Sequence, residues 1–324
     1  MPLRLMRWIK AVASETTLVY LTLLKILVPA LIVVKALEMA GFTQWLGTLL
    51  APVMGLMGLP EALSIVWAAT LLTNIYTGMV VFFSVAADQP LTVAQITILG
   101  TLMVIGHSLP VEGAVARKAG VPWWLTVVLR IGGGLLVGWT LNLIYTSTNW
   151  LQQPNAMLWQ PEPQQSGLVA WVLEQLKMLI TIYLVILSLI ALLKILRTLG
   201  IERLLHIVLF PLLRLLGIGR KAANTTIIGI TLGLSFGAGL LIRDIESGTM
   251  SRRDAMLTLC FLGLCHSLIE DTLLVMLLGA DLSGILWARL LFAFIAVGLL
   301  ARQPLAINAS GEKASAEASS GSKR

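Results

Sequence analysis

The segment Gly106–Val115, "GHSLPVEGAV", sets a histidine, a serine, a proline and a glutamate inside otherwise apolar sequence, and Cys265–Leu274, "CHSLIEDTLL", restates the pattern 159 residues later. At the same spacing, without a gap, Lys35 falls on Lys194, Gly41 on Gly200, Pro52 on Pro211, Gly58 on Gly217 and Gly78 on Gly237. Gly120 likewise falls on Gly279 and Arg130 on Arg289, while inside the motif His107, Ser108 and Leu109 return as His266, Ser267 and Leu268 and Glu112 becomes Asp271. Leucines coincide freely in so apolar a chain. Coincident Gly, Pro, His, Lys and Arg at one offset mean that the chain is a duplication.

Composition sets the class of both copies. Of 324 residues 57% are hydrophobic and 12% charged, against about 25% charged in soluble domains, and mean hydropathy is +0.90. A helix crosses a hydrocarbon core with about 20 apolar residues. Leu18–Ala40 meets that length, and comparable apolar stretches run at 62–87, 123–145 and 168–196, with shorter ones at 225–242 and 285–300. The expected fold class is all-α, a polytopic integral membrane protein in contact with the lipid bilayer. Alternating ten-residue strands, the mark of a barrel, are not found. The net charge of +7 sits at the ends of apolar segments and not in a stripe with aromatics, so it reads as a topology signal, with no nucleic acid implied. Cys260 and Cys265 have a spacing that is not a redox pair and read as buried thiols. The first apolar segment is long and has a mid-chain counterpart, so it reads as retained and not as a cleaved leader.

Lys and Arg orient the copies. Arg4, Arg7 and Lys10 place the N-terminus in the cytoplasm; the segment 41–60 carries no basic residue, whereas its counterpart and flanks carry Arg197, Arg203, Arg214, Arg220 and Lys221. Equivalent segments then face opposite sides, which is the expectation of two inverted structural repeats with broken or re-entrant helices. The division is an N-terminal cytoplasmic amphipathic segment at 1–17, a first repeat at 18–146, an exterior linker at 147–167 holding Trp150 and Trp159, a second repeat at 168–302, and a disordered polar tail at 303–324. Each half crosses an odd number of times: three spans plus a re-entrant element, or five. The short segments 43–57 and 203–216 rise only about 22 Å as helices, which suits the interface. Both termini are expected in the cytoplasm and the chain in the cell inner (plasma) membrane.

The motif is where chemistry concentrates. A helix entering at Thr92 stays apolar to Ile105, and Pro110 predicts a break near Leu109 with a new helix from Val111 carrying Glu112 in its first turn. Freed backbone groups in a bilayer need protein or a water-lined cavity. Ionisable residues at depth are functional candidates, so the candidate substrate-binding set is His107, Ser108, Glu112, His266, Ser267, Glu270 and Asp271. The imidazoles would bond or carry a proton, the acids would meet a cation, a proton or a polar edge of the solute, and the hydroxyls would donate. Asn74 and Tyr76, within "LTNIYTG" at 72–78, join the candidate lining opposite the counterpart "TLGLSFG" at 231–237. Arg130 and Arg289, each in the last span of its half, invite pairing with Glu112 and Asp271. A histidine and carboxylate five apart match no closed metal-ligand pattern. No nucleophile motif, phosphate loop or nucleotide-binding domain is present, so the chain reads as a non-enzyme with no cofactor and no metal site assigned.

The segments "LLAPVMGLMGLP" and "LFPLLRLLGIG", each followed by a glycine-containing span and then by "GHSLPVEG" or "CHSLIEDT", resemble the Gate or nucleoside-recognition membrane family over residues 18–300. That group includes spore-maturation-type membrane proteins, with related Gate regions in concentrative nucleoside transporters and the bacterial ferrous-iron transporter. The cysteine gate pattern and GTPase domain of the iron transporter have no counterpart here. The resemblance implies inverted repeats and re-entrant hairpins. Together these readings predict a secondary permease for a small polar solute, nucleoside-like in class, with solute or a coupling ion (proton or sodium) bound between the repeats. A non-transporting membrane scaffold and an ion or metal channel are the alternatives, and a homo-oligomer is left open. The inverted arrangement predicts that Trp45→Cys and Leu204→Cys react with a membrane-impermeant thiol reagent from opposite sides of sealed vesicles; labelling from one common side would overturn it.

Overall fold

The structure, a computed structural model, describes residues 2–40, 42–85, 89–118, 120–157, 168–232, 241, 244 and 250–303. Residues 233–240, with Ser235, Phe236 and Gly237 of the second glycine-rich segment, lie outside the described residues, as do Trp159 and the tail from 304 onward. The described elements are helical, apart from an isolated bridge between Thr92 and Pro154.

In the first half α1 is Pro2–Met39, α2 Phe42–Leu56, α3 Leu63–Leu72, α4 Ile75–Val85, α5 Val93–Gly106, α6 Leu109–Lys118, α7 Trp123–Val127 and α8 Gly133–Ser147, with a π-helical turn at Val128–Gly132. In the second half α9 is Leu168–Thr198, α10 Ile201–Leu215, α11 Arg220–Leu232, α12 Arg252–Cys265, α13 Leu268–Met276 and α14 Arg289–Arg302, with a π-helical turn at Ser283–Ala288. Both bounds of α2 and α10, and of α5 and α12, differ by the sequence offset. The duplication therefore extends to where helices start and stop. Left-handed glycines recur with it, Gly58 with Gly217 and Gly120 with Gly279. Only glycine enters that region without cost, which explains why these positions survive in both copies.

Among the described residues six helices are long and apolar enough to cross a membrane: Met6–Val33, Val93–Arg117 and Trp123–Ser147 in the first half, Gln175–Thr198, Arg252–Met276 and Ser283–Arg302 in the second. The chain is a multi-pass membrane protein, and its most buried spans are those carrying the two motifs. α3 and α4 are shorter, and a Cβ on Gly78 would collide with Thr70 and Met103, so the two fold back against each other across Thr73–Asn74. Here Asn74, expected in a lining, has a structural task. Its Oδ1 accepts from Thr77 N at 2.9 Å and Thr77 Oγ1 at 3.2 Å, capping the start of α4.

α1 and α9, equivalent by the offset, pack in opposed directions: Glu15 pairs with Lys194 at 2.6 Å, Thr17 meets Tyr183 at 3.4 Å, and Tyr20 donates to Leu179 O at 3.0 Å. Lys194, which snorkelling alone would explain, thus has a carboxylate partner. α5 lies at the centre. Its start is a capping box between Thr92 and Gln95, and residues after α8 bond to it, with Val93 N on Gln153 O at 3.1 Å and Ala94 N on Leu151 O at 2.8 Å. The same end is tied to the second half by Asn155 Nδ2 on Leu278 O at 2.8 Å, Asp281 N on Thr97 Oγ1 at 2.8 Å, and Tyr145 with Ser283 at 2.7 Å.

Close approach at α5 depends on Gly100, where a Cβ would strike Val275 and Ile285, whereas a Cβ on Gly263 of α12 meets nothing within 4 Å. Gly100→Ala is expected to lower stability by roughly 1–3 kcal/mol through overpacking. Gly263→Ala should be neutral or stabilising by up to about 1 kcal/mol from helix propensity. Unfolding of each purified variant in detergent checks the pair.

Candidate functional site

The two motifs meet. α5 ends at Gly106, His107 is extended with φ −62° and ψ 159°, and Ser108 is left-handed with φ 53° before α6 starts at Leu109. α12 ends the same way, through His266 with φ −73° and ψ 169° and Ser267 with φ 46°, before α13 begins at Leu268. Both breaks therefore come at His–Ser, one or two residues earlier than Pro110 suggested. Proline is not their cause, because it sits in the first turn of α6, where a missing donor is tolerated, and the second copy breaks identically with Ile269 in its place.

Each break frees carbonyls at the end of a helix, and an arginine from the π turn, or the residue after it, collects them. Arg130 Nε donates to Ile105 O at 2.9 Å and Nη2 to His107 O. Arg289 Nε donates to Leu264 O at 2.7 Å and Nη2 to His266 O at 2.9 Å. Both guanidiniums are fully buried. Each also pairs with its motif's acid: Arg130 Nη1 with Glu112 Oε2, and Arg289 Nη2 with Asp271 Oδ2 at 3.1 Å. The acids stand in the first turns of α6 and α13, where the helix dipole favours negative charge. Ser108 serves the break as well, its N–H on Thr70 O at 3.2 Å and its hydroxyl on Thr73 O at 2.6 Å, so it satisfies the end of α3.

Between these shells the histidines touch. His107 Nε2 and His266 Nε2 are 3.0 Å apart. Glu112 Oε1 lies 3.5 Å from the first and 3.3 Å from the second, and Asp271 Oδ2 is 4.0 Å from His107 Nε2. Glu270 stands one position off this centre, half-buried, and takes the hydroxyl of Tyr76 at 3.0 Å. The structure thus brings His107, Glu112, His266 and Asp271 together directly and Glu270 and Tyr76 beside them, while Ser108, Ser267 and Asn74 belong to the breaks. Among the described residues, His107, His266 and Asp271 form a group whose donor atoms lie within 4.8 Å, as a metal ion would need. Two guanidiniums already balance Glu112 and Asp271, so a divalent ion would add two positive charges against the one remaining carboxylate, Glu270.

The copies differ in one respect that sequence reasoning did not reach. Asp271 is one methylene shorter than Glu112, and Arg289 Nη1 is left buried without a hydrogen-bond partner, as are Trp67 Nε1 and Thr272 Oγ1. Beside Glu112 a small cleft of about 20 Å³, room for one water-sized group, is lined by Glu112, Ala116, Thr126, Arg130, Cys260 and Gly263. The equivalent place beside Asp271 carries buried Val104 where the cleft has Gly263 and buried Val275 where it has Ala116. The signal was present in the aligned copies, as small residues facing large ones.

A nucleoside-recognition Gate family model matches residues 20–121, most of the first half and including its motif. The resemblance read from the sequence is matched over that stretch. The uncharacterized membrane protein YvoD of Bacillus subtilis strain 168 is 28% identical over 277 residues, which is 85% of this chain and 88% of that protein. No solved structure matches.

Removing one member of a buried ion pair strands the other. Arg130→Met is expected to cost roughly 3–5 kcal/mol of stability, and the double variant with Glu112→Gln to recover part of it. A double-mutant cycle on unfolding in detergent measures the coupling, and additive losses would mean that the pair contributes none.

Proposed function

We propose that the protein is a secondary permease for a small polar solute, nucleoside-like in class, which binds beside the ionic centre between two inverted repeats, residues 18–146 and 168–302. The observation that carries this reading is the burial of a histidine, a carboxylate and an arginine from each half at one point inside a multi-pass membrane protein. Such groups are expensive in a membrane interior and are kept there for a pathway or a ligand. Inverted repeats are supported by the opposed packing of the equivalent helices α1 and α9 and by three candidate spans in each half. The stretch 62–87, expected to cross as one span, holds two short helices, α3 and α4, folded back on each other, and in this reading it is the re-entrant element of the first half.

The cleft beside Glu112 is small and apolar apart from Glu112, Thr126 and Arg130, so the helices around it would have to part to admit a solute to the ionic centre. Arg289 Nη1, Trp67 Nε1 and Thr272 Oγ1 are further buried groups lacking partners, outside the lining of that cleft. The nucleoside-recognition description of the matching family supports nucleosides as the first class to test. Both termini belong to the cytoplasmic side of the cell's inner membrane in this arrangement.

Purified protein should be stabilised against heat by nucleosides in preference to amino acids, polyamines or divalent cations. In vesicles, His107→Ala or Glu112→Gln should cut uptake of the stabilising solute roughly ten- to a hundredfold, the effect of losing a hydrogen bond to a charged group. Folded protein in the membrane is measured alongside for each variant, because Glu112→Gln leaves Arg130 without its carboxylate. Undiminished uptake in both would remove the motif from the mechanism.

A further inference from the structure

His107 Nδ1 lies 3.1 Å from Met103 O and His266 Nδ1 2.8 Å from Leu262 O. A carbonyl only accepts, so both Nδ1 atoms carry hydrogen, and in two neutral rings both Nε2 atoms are bare lone pairs. Those lone pairs face each other at 3.0 Å, with Glu112 Oε1 at 3.5 and 3.3 Å and Asp271 Oδ2 at 4.0 Å from His107 Nε2. The two Nε2 atoms and Glu112 Oε1 thus converge on one buried point, with Asp271 Oδ2, already bonded to Arg289, beside them, and unpaired acceptors are most costly there. A positive charge has to lie between them.

The surrounding charges select which one. Arg130 and Arg289 neutralise Glu112 and Asp271, Tyr76 holds Glu270, and Cys265, next to His266, donates its thiol to Phe261 O at 3.4 Å. A single proton completes an Nε2–H···Nε2 hydrogen bond at an ordinary length and adds one charge, shared with Glu112 Oε1. A divalent cation adds two charges within reach of two guanidiniums. We infer that His107 and His266, one from each half, share one proton between their Nε2 atoms, and that this proton is the ion coupled to transport. The second clause rests on the permease reading, and the first stands without it.

The chain has three histidines, and His206→Gln removes the one outside the pair, which bonds Asn224. Full-length protein of that variant, labelled with ¹⁵N-histidine, should give one far-downfield proton scalar-coupled to both Nε2 nitrogens, in addition to two Nδ1 protons. His107→Gln in the same background should abolish that proton and leave a neutral ring at His266. Should the second variant fail to fold, the parent spectrum still decides. Two bare Nε2 nitrogens, or signals that change when a chelator removes a stoichiometric metal ion, would overturn the shared proton. Proteoliposomes holding a pH-sensitive dye test the coupling. Proton entry driven by an inward nucleoside gradient is expected. Solute entry without proton entry would refute the coupling alone, and the shared proton without flux of any solute would refute the permease reading alone.

Discussion

A chain that stops being helical inside a membrane must give every released carbonyl another partner, because lipid offers none. Two buried arginines meet that demand. Arg130 reaches back to Ile105 and His107, and Arg289 to Leu264 and His266, with the same spacing in each copy. A guanidinium has several donors in a fixed plane and stays charged, so it can hold two carbonyls and a carboxylate at once, which a lysine could not do in the same geometry. Its charge in turn requires Glu112 and Asp271, and the positions of those acids bring the two imidazoles together. The break, the ion pairs and the histidine contact are one arrangement, and none of its parts would be tolerated alone.

That arrangement is nearly symmetric, and its departures from symmetry fall on the side chains that leave room. Glu112 reaches its arginine while keeping a second oxygen toward the histidines; Asp271 is shorter, and a guanidinium nitrogen goes unpartnered. Gly263 and Ala116 open a cleft where Val104 and Val275 fill the corresponding space. A ligand lacking two-fold symmetry needs such a difference, which duplication alone does not supply.

Much of this was legible in the residues. Matching Gly, Pro, His and Arg at one offset foretold helices with common bounds, and the cost of burying charge pointed to His107, Glu112, His266 and Asp271 before any distance was known. Composition alone indicated the all-helical membrane class. The exact place of the breaks was not legible, because Pro110 is conspicuous in the sequence and the left-handed turn at Ser108 is not. The cap that Asn74 gives α4 was not legible either, since polarity in an apolar span looks the same whether it meets solute or caps a helix. The arginines were recognisable as ion-pair partners, but their bonds to carbonyls depend on π turns, which leave no pattern in residue type. The cleft needed both the alignment of the copies and the packing around Gly263.

The connection leaving α8 is sewn into the start of α5 and, through Asn155, into the end of the second half's short helix. Thr97, Asp281, Tyr145 and Ser283 add further stitches at that same rim. Prising the halves apart there would break several bonds together, so a loss at any one of them is shared by the others and the two copies stay joined at that rim.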